Sequence, residues 1–229
     1  KRLLNRNKST LYYYASRTAR LINKSMLIKE NRSNEIADIP SIKQFVNGND
    51  FLAPHVKEYL SELQKINFST HSIVYLLNKN GVCVASSLKK IIGENYSFRS
   101  YFKQAIMGNK YLSDYAVGVT TNEAGFYSSA PIKLNGKIIG VAVVKFKSDF
   151  NEIVNNVKIE NGYVFIINQD KIILAQPDTE NAYYYINEMP EEILNKILVN
   201  RQFPEGSLKQ LKIIGFPTGK ITERSMLTL

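Results

Sequence analysis

Apolar residues recur at helical spacing through the first part of the chain. Leu4, Leu11, Ala15, Ala19, Ile22 and Met26 are mostly separated by three or four positions, with polar residues between. That spacing gathers side chains on one face of an α-helix. It predicts a long amphipathic helix over residues 3–30, interrupted by the polar run Arg32 to Asn34. A short helix is expected after Pro40, which suits a first helical turn, and should end near Gly48. Asp50 can cap the next helix, with Pro54 in its first turn and Val56, Tyr59, Leu60, Leu63 and Ile66 as its buried stripe.

The period then changes. Ser72 to Asn78 is an apolar run of strand length, Lys79, Asn80 and Gly81 form a turn whose residues tolerate positive φ, and Val82 to Ser86 is the return strand. Residues 97–108 read as a short helix ended by Gly108. Three strands should follow, Tyr111 to Val119, Phe126 to Leu134 and Lys137 to Lys147, the last two joined by the hairpin signal Asn135-Gly136. Two helices, a hairpin, a helix and an antiparallel meander make an α+β module of the PAS-like kind.

Part of this pattern recurs. VYLLNKNGVCVASS from Val74 and VFIINQDKIILAQP from Val164 share an aromatic after Val, an apolar run ending in Asn, a polar turn and a second apolar run. Such self-similarity suggests tandem modules, although buried hairpins also resemble one another without common ancestry. On the tandem reading Phe150 to Val157 is a connector and a second module starts near Gly162. Pro190, Glu191 and Glu192 open a helix with an apolar face of Ile193, Leu194, Ile197 and Leu198. The pattern fades after Leu211, so this module is expected to lack its last strands. The expected division is 1–70 helical, 71–150 a first module carrying the pocket, and 151–229 a second.

Composition narrows the function classes. The net charge is +10, but residues 1–30 hold eight basic side chains against Glu30, so the basicity is largely one terminal segment. No zinc-finger, homeodomain or RNA-recognition motif accompanies it, and a basic chain end equally suits anionic lipid headgroups. A nucleic-acid partner is therefore not expected. No run of 18 apolar residues could span a bilayer, and no signal peptide is present. The chain begins with Lys, as an excised segment would. Cys83 is the one cysteine and lies in an apolar strand, where a small buried side chain is the expected role. His55 and His71 are the only histidines and are expected at the surface. No GxSxG, HExxH, P-loop or GxGxxG occurs, so neither an enzyme, a metal site nor a cofactor is expected.

Three features could carry ligand chemistry. Tyr96, Arg99 and Phe102 are three apart and would share one helical face, placing a guanidinium among Tyr96, Phe98, Tyr101 and Phe102. A rigid two-pronged donor in an aromatic wall suits a carboxylate, though an Arg snorkelling from a core helix looks the same in sequence. Gly118 to Tyr127 offers Thr120 and Thr121 at a strand end, where hydroxyls and backbone N–H groups hold an anion; equally, it is an ordinary loop. Lys145 shares a strand face with Val141 and Val143, and an ammonium there needs an anion or a route to water.

Together GENYSFRSYFKQAIMG (Gly93 to Gly108), GVTTNEAGFYSSAPI (Gly118 to Ile132) and GVAVVKF (Gly140 to Phe146) resemble the periplasmic double Cache sensor domain of four-carbon dicarboxylate sensor histidine kinases. The resemblance is specific over about residues 72–150 and architectural elsewhere. It implies an α+β fold, with a long N-terminal helix packed along two tandem PAS-like modules with antiparallel sheets. It also implies a membrane-distal pocket for succinate-like diacids. It assigns Tyr96, Arg99 and Lys145 to carboxylate, Thr120 and Thr121 to the far end, and Ser129 to a strand position facing the pocket; Tyr101 and Tyr127 complete the expected lining. Val119 is one residue more than that pattern has before the threonines, and Asn122, Glu123 and Ala124 depart from its small and basic choices. Two cations with no evident pocket acid favour a ligand with two negative ends.

The expectation is thus a non-enzymatic, extracytoplasmic sensor of a membrane-anchored receptor. Replacing Arg99 or Lys145 by Ala should weaken diacid binding more than tenfold and leave the fold intact. The same scaffold could sense an amino acid or a monocarboxylate, or serve as an interaction module without a ligand. A histidine kinase, a diguanylate cyclase and a chemoreceptor are all compatible outputs. The stripe of the first helix is available for a homodimer or for the protein's own sheets.

Overall fold

A computed structural model describes residues 2–66, 71–157, 165–176, 183–185 and 188–210. The chain divides into two compact units. One comprises Lys29–Asp149 with Glu191–Glu205, the other Lys1–Ile28, Phe150–Pro190 and Gly206–Leu229. This differs from the expected division at 70 and 150. The last helix, counted above with the second module, belongs with the first.

Helix α1 runs Arg2–Ala37 without a break. The expected interruption at Arg32 to Asn34 does not occur, because these polar residues find partners, on the helix for Arg32 and Asn34 and across the core for Ser33. Arg32 pairs with Glu35 at 2.6 Å, one turn on, and the buried Ser33 hydroxyl bonds that of Ser128 at 2.7 Å. Pro40 ends the helix instead, since the residue before a proline is forced out of helical geometry and Ile39 is extended. Helix α2 (Pro40–Val46) and helix α3 (Ala53–Ile66) follow. Val56 and Leu60 are buried and Tyr59 and Leu63 pack against them, but Ile66, expected in the stripe, is exposed at the helix end.

The first unit is built on a six-stranded sheet of β1 (His71–Asn78), β2 (Cys83–Ser86), β3 (Tyr111–Leu112), β4 (Ala116–Val117), β5 (Ala124–Leu134) and β6 (Lys137–Lys147), with helix α4 (Ser100–Ile106) before β3. The order is β2-β1-β6-β5-β3, with β4 also on β5, and every pair is antiparallel. The single strand expected over Tyr111 to Val119 is two short strands. At the gap between them Ser113 breaks the ladder: its N–H donates to Tyr127 O at 2.8 Å and its hydroxyl accepts from Tyr127 N–H at 2.9 Å.

Alternation along the strands splits the interior in two. Val74, Leu76, Ala130, Ile132, Ala142, Val144 and Phe146 face Ile36, Ile42, Phe45, Val56 and Leu60 from the three helices. The opposite face carries Ile73, Tyr75, Leu77, Tyr127, Val141 and Val143, packed with Tyr96, Tyr101, Phe102 and Ala105.

The second unit contains helix α5 (Phe150–Asn156) and a four-stranded sheet of β7 (Ile166–Ile167), β8 (Ile172–Ala175), β9 (Tyr183–Tyr185) and β10 (Leu208–Gln210). The hairpin expected to repeat the first one has the same turn. Asn78 N–H donates to Val82 O (2.9 Å) while Asn78 Oδ1 accepts from Val82 N–H (3.1 Å). Asn168 and Ile172 repeat both bonds at 3.0 and 2.9 Å, and Gly81 and Lys171 each adopt positive φ. Strand β10 pairs with β9 in parallel. A parallel partner needs a long crossover, and the crossover carries helix α6 (Glu191–Val199). Residues 158–164, where the second module was expected to begin, and the fading pattern after Leu211 lie outside the described residues.

Candidate ligand-binding cleft

Alternation on β6 and β5 brings two side chains to one spot. Lys145 pairs in register with Tyr127 on one side and Ile73 on the other, so all three point to the cleft face. The loop joining β4 to β5 folds over them. Gly118 N–H donates to Glu123 O (2.9 Å), Asn122 N–H donates to Gly118 O (2.7 Å), and Asn122 takes the left-handed φ of 54° that Asn tolerates. Thr120, Thr121 and Glu123 are thereby held over the strand ends.

Tyr96 and Arg99 arrive by a different route from the one expected. The helix expected from residue 97 starts at Ser100, with Arg99 as its extended N-cap (ψ 139°), and a turn closed by Arg99 N–H to Tyr96 O at 3.0 Å turns both side chains inward. Phe102, read as sharing their face, packs into the apolar core instead.

The cleft is lined by Ile73, Tyr75, Ile91, Tyr96, Arg99, Tyr101, Gly118, Val119, Thr120, Thr121, Tyr127 and Lys145, and encloses about 20 Å³, room for roughly one water. Of the residues expected from sequence, Tyr96, Arg99, Tyr101, Thr120, Thr121, Tyr127 and Lys145 meet here. Ser129 does not: its hydroxyl donates to the carbonyls of Tyr101 (2.8 Å) and Tyr111 (3.4 Å) and ties α4 and β3 to β5.

Arg99 and Lys145 are 3% and 1% exposed. The Arg99 guanidinium carbon lies 6.0 Å and the Lys145 Nζ 5.9 Å from the centre of the Tyr127 ring, within cation–π range. Tyr127 stacks on Tyr101 at 4.9 Å, and Tyr75 OH donates to Tyr101 OH at 2.7 Å. Burial pushes the Tyr127 phenol up to about 12, so the tyrosines are neutral hydrogen-bonding groups at physiological pH.

Burial also lowers Lys145 from 10.5 to about 8, against the raising effect of Glu123. Its ammonium donates to Thr121 Oγ1 at 2.8 Å and lies 3.6 Å from Glu123 Oε2. Glu123 corrects the expectation that the pocket has no acid. Its sequence signal was present, since two residues from Thr121 a loop side chain can reach the same ammonium.

Arg99 is also occupied. It donates to the carbonyls of Asn200 and Arg201, each at 2.9 Å, and of Val117, also at 2.9 Å. Val117 N–H donates to Gln202 O (2.8 Å) and Gln202 Nε2 to Tyr115 O (2.8 Å), so residues 200–202 are laced to β4. A guanidinium has five N–H donors, and these bonds use three of them. Arg99→Ala would remove the donor from three carbonyls, so a loss of stability is expected beside any loss of binding. Ile73, Tyr75, Ile91, Gly118 and Val119 also line the cleft and were not among the residues expected there. Gly118 matters because a side chain there would collide with Thr121 Oγ1 and come within 3.2 Å of Lys145 Nζ.

Elsewhere, Cys83 is buried and its thiol is pushed up to about 12, as an inert core residue requires, and His55 is exposed. The side chain of His71 lies outside the described residues. Among the described residues no His, Cys, Asp and Glu cluster suits a metal ion, and no helix is long and apolar enough to cross a membrane.

The Cache domain family dCache_1 matches residues 1–223. The C4-dicarboxylate transport sensor protein DctB of Rhizobium meliloti (strain 1021) is 25% identical over 163 residues, 68% of this chain. The chain spans 26% of that relative's length. The sensor domain of the V. cholerae histidine kinase DctB superposes with a TM-score of 0.72 at 22% identity, over 91% of this chain and 80% of that one. The ligand-binding domain of the Campylobacter jejuni chemoreceptor Tlp3, in complex with 4-methylisoleucine, superposes with a TM-score of 0.57 at 19% identity, over 77% and 73%. A domain of a putative sensory box/GGDEF family protein from Vibrio parahaemolyticus gives 0.62 at 14% identity, over 86% and 80%.

Proposed function

This chain belongs to the Cache domain family, and from that premise we propose that it is the extracytoplasmic sensor of a membrane-anchored receptor, a histidine kinase of the DctB kind, and that it binds a small carboxylate in the cleft around Tyr127. The carrying observation is the convergence of two almost fully buried cations on that one ring. A buried charge is costly unless an anion answers it, and hydroxyls of Tyr96 and Thr120, 3.0 Å apart, stand beside it. A four-carbon dicarboxylate such as succinate has the charge for both cations. The presence of Glu123 favours a second reading, a ligand that also bears an ammonium.

A diacid is several times larger than one water, so binding entails rearrangement. The groups able to give way are Glu123, 54% exposed, and the Arg99 bonds to residues 200–202. A ligand that draws the guanidinium off those carbonyls loosens the segment leading from α6 to β10, which supplies a route from occupancy to signal. It shifts that equilibrium only by its differential affinity for the two arrangements.

Thermal unfolding with succinate, malate, fumarate, aspartate and branched-chain amino acids tests the reading. At a hundred times the dissociation constant a ligand adds about 2.7 kcal/mol, or roughly 5–10 °C for a chain of this size. A rise with at least one carboxylate is expected; no rise with any of them removes the proposal.

A further inference from the structure

We infer that Phe98 and Gln202, which stand outside the cleft lining, are positioning residues that set its affinity. They hold residues 200–202 on Arg99 as a latch, an internal competitor that a ligand carboxylate must displace. The inference rests on the carboxylate-binding reading above and adds how that site is regulated.

The bonds of Arg99 show what the latch blocks. Its Nη1 donates to the carbonyls of both Asn200 and Arg201 at 2.9 Å, and its Nη2 donates to Val117 O at 2.9 Å. An Nη nitrogen carries two N–H groups, so the two backbone oxygens take both of those on Nη1. An end-on grip on a carboxylate needs one N–H from each Nη. That grip is closed to a ligand for as long as residues 200 and 201 stay in place.

The segment keeps this position at a cost. Just past the end of α6, Arg201 N–H donates to Leu198 O and Gln202 N–H to Ile197 O, each at 3.0 Å. A helix closed in this way puts one residue in the left-handed region, a place that usually falls to glycine. Arg201 takes it, with a φ of 46°. Among the described residues the buried Asn200 Oδ1 also lacks a hydrogen-bond partner. A second cavity of about 20 Å³ is bounded by Arg99, Tyr127, Lys196, Asn200 and Gln202, among others. Strain, an unanswered acceptor and a void all favour release.

Two sets of contacts oppose it. Gln202 Nε2 donates to Tyr115 O and Val117 N–H donates to Gln202 O, each at 2.8 Å. The Phe98 ring centre lies 4.9 Å from the Arg201 guanidinium carbon and 5.4 Å from that of Arg99, within cation–π range of both. Phe98 thus fastens the segment to the side chain it occupies. This is a contact that glycine at position 201 could not make. Weakening either set enlarges the fraction of molecules in which Arg99 is free, and the apparent affinity rises with that fraction.

The test is calorimetric titration of the wild type, Phe98→Leu, Phe98→Tyr and Gln202→Met with the carboxylates of the thermal screen. Hydrogen exchange of peptides covering residues 197–205 is followed beside it. Phe98→Leu and Gln202→Met should each tighten binding about threefold or more and speed exchange in that segment. Phe98→Tyr keeps the ring and should stay within about twofold of the wild type. A purely structural role has the opposite sign, weaker binding with a lower melting temperature. Saturating the wild type with ligand should also speed exchange in the segment while slowing it in the sheet. Unchanged or weaker binding in either folded variant, or exchange that is unchanged or slower on saturation, overturns the latch and leaves a carboxylate sensor standing. Failure of the wild type to bind any of those carboxylates overturns the carboxylate reading and the latch with it.

Discussion

The two faces of the six-stranded sheet are made by the same strands and solve opposite problems. On β6, Ala142, Val144 and Phe146 face the three helices, while Val141, Val143 and Lys145 face the cleft. The helix face is closed mainly by apolar contact; its buried polar groups are Ser33 and Ser128, which bond each other while Ser128 also donates to Glu30 O at 2.9 Å, and Lys29 at its margin, whose Nζ lies 5.8 Å from the centres of the Phe126 and Phe146 rings. The cleft face buries Arg99, Lys145 and a set of tyrosines whose pairings leave donors to spare. One face is arranged for stability; the other forgoes some stability for binding, since well-packed apolar residues generally outperform buried ions in holding a fold.

Leu76→Ala should break the comparison most severely. Leu76 is fully buried on the helix face, and truncation of such a leucine costs about 2–5 kcal/mol. Urea denaturation should show a loss in that range, while carboxylate affinity per folded molecule stays unchanged. An affinity loss of the same size would mean the two faces are not independent.

A smaller effect separates the faces by pH. Below about 8 the Lys145 ammonium is charged in the folded state. Above that it must take up a proton to hold a carboxylate, so affinity should fall by up to tenfold per pH unit. Unliganded stability moves the other way. The folded value of about 8 lies below 10.5, so between them the unfolded chain holds more protons and stability rises with pH. Paired titrations and melts from pH 7 to 10 check both signs, and Lys145→Met should remove both trends.

Much of this architecture was legible in the chain, and the exceptions share a cause. The Asn-led hairpins at Asn78 and Asn168, the helix opening at Pro190 and the Asn135-Gly136 turn depend on local chemistry, which a sequence displays directly. The cleft was legible as far as Tyr96, Arg99, Tyr101, Thr120, Thr121, Tyr127 and Lys145 mainly through the resemblance to a known sensor family; strand alternation reported the inward face of Lys145, while the helical spacing read for Tyr96, Arg99 and Phe102 did not hold. What was hidden is long-range pairing. Ser33 meets Ser128 across 95 residues, and Arg99 meets the carbonyls of Asn200 and Arg201 across a hundred. No periodicity reports such partners. For the same reason α6 was assigned to the wrong neighbour: its apolar face announced a helix but not the surface it covers. Glu123 failed differently. It was visible on a loop beside Thr121, yet only the fold brings that loop over Lys145.

The central claim is that Lys145 is buried to meet a ligand carboxylate rather than to hold the sheet together. The most direct measurement is calorimetric titration of Lys145→Met beside the wild type, using whichever carboxylate raises the melting temperature most. A methionine fills the space of the lysine stem without its charge. The account predicts equal or greater stability of the free protein, with affinity reduced more than tenfold. Retained affinity, or a free protein that no longer folds, would contradict it.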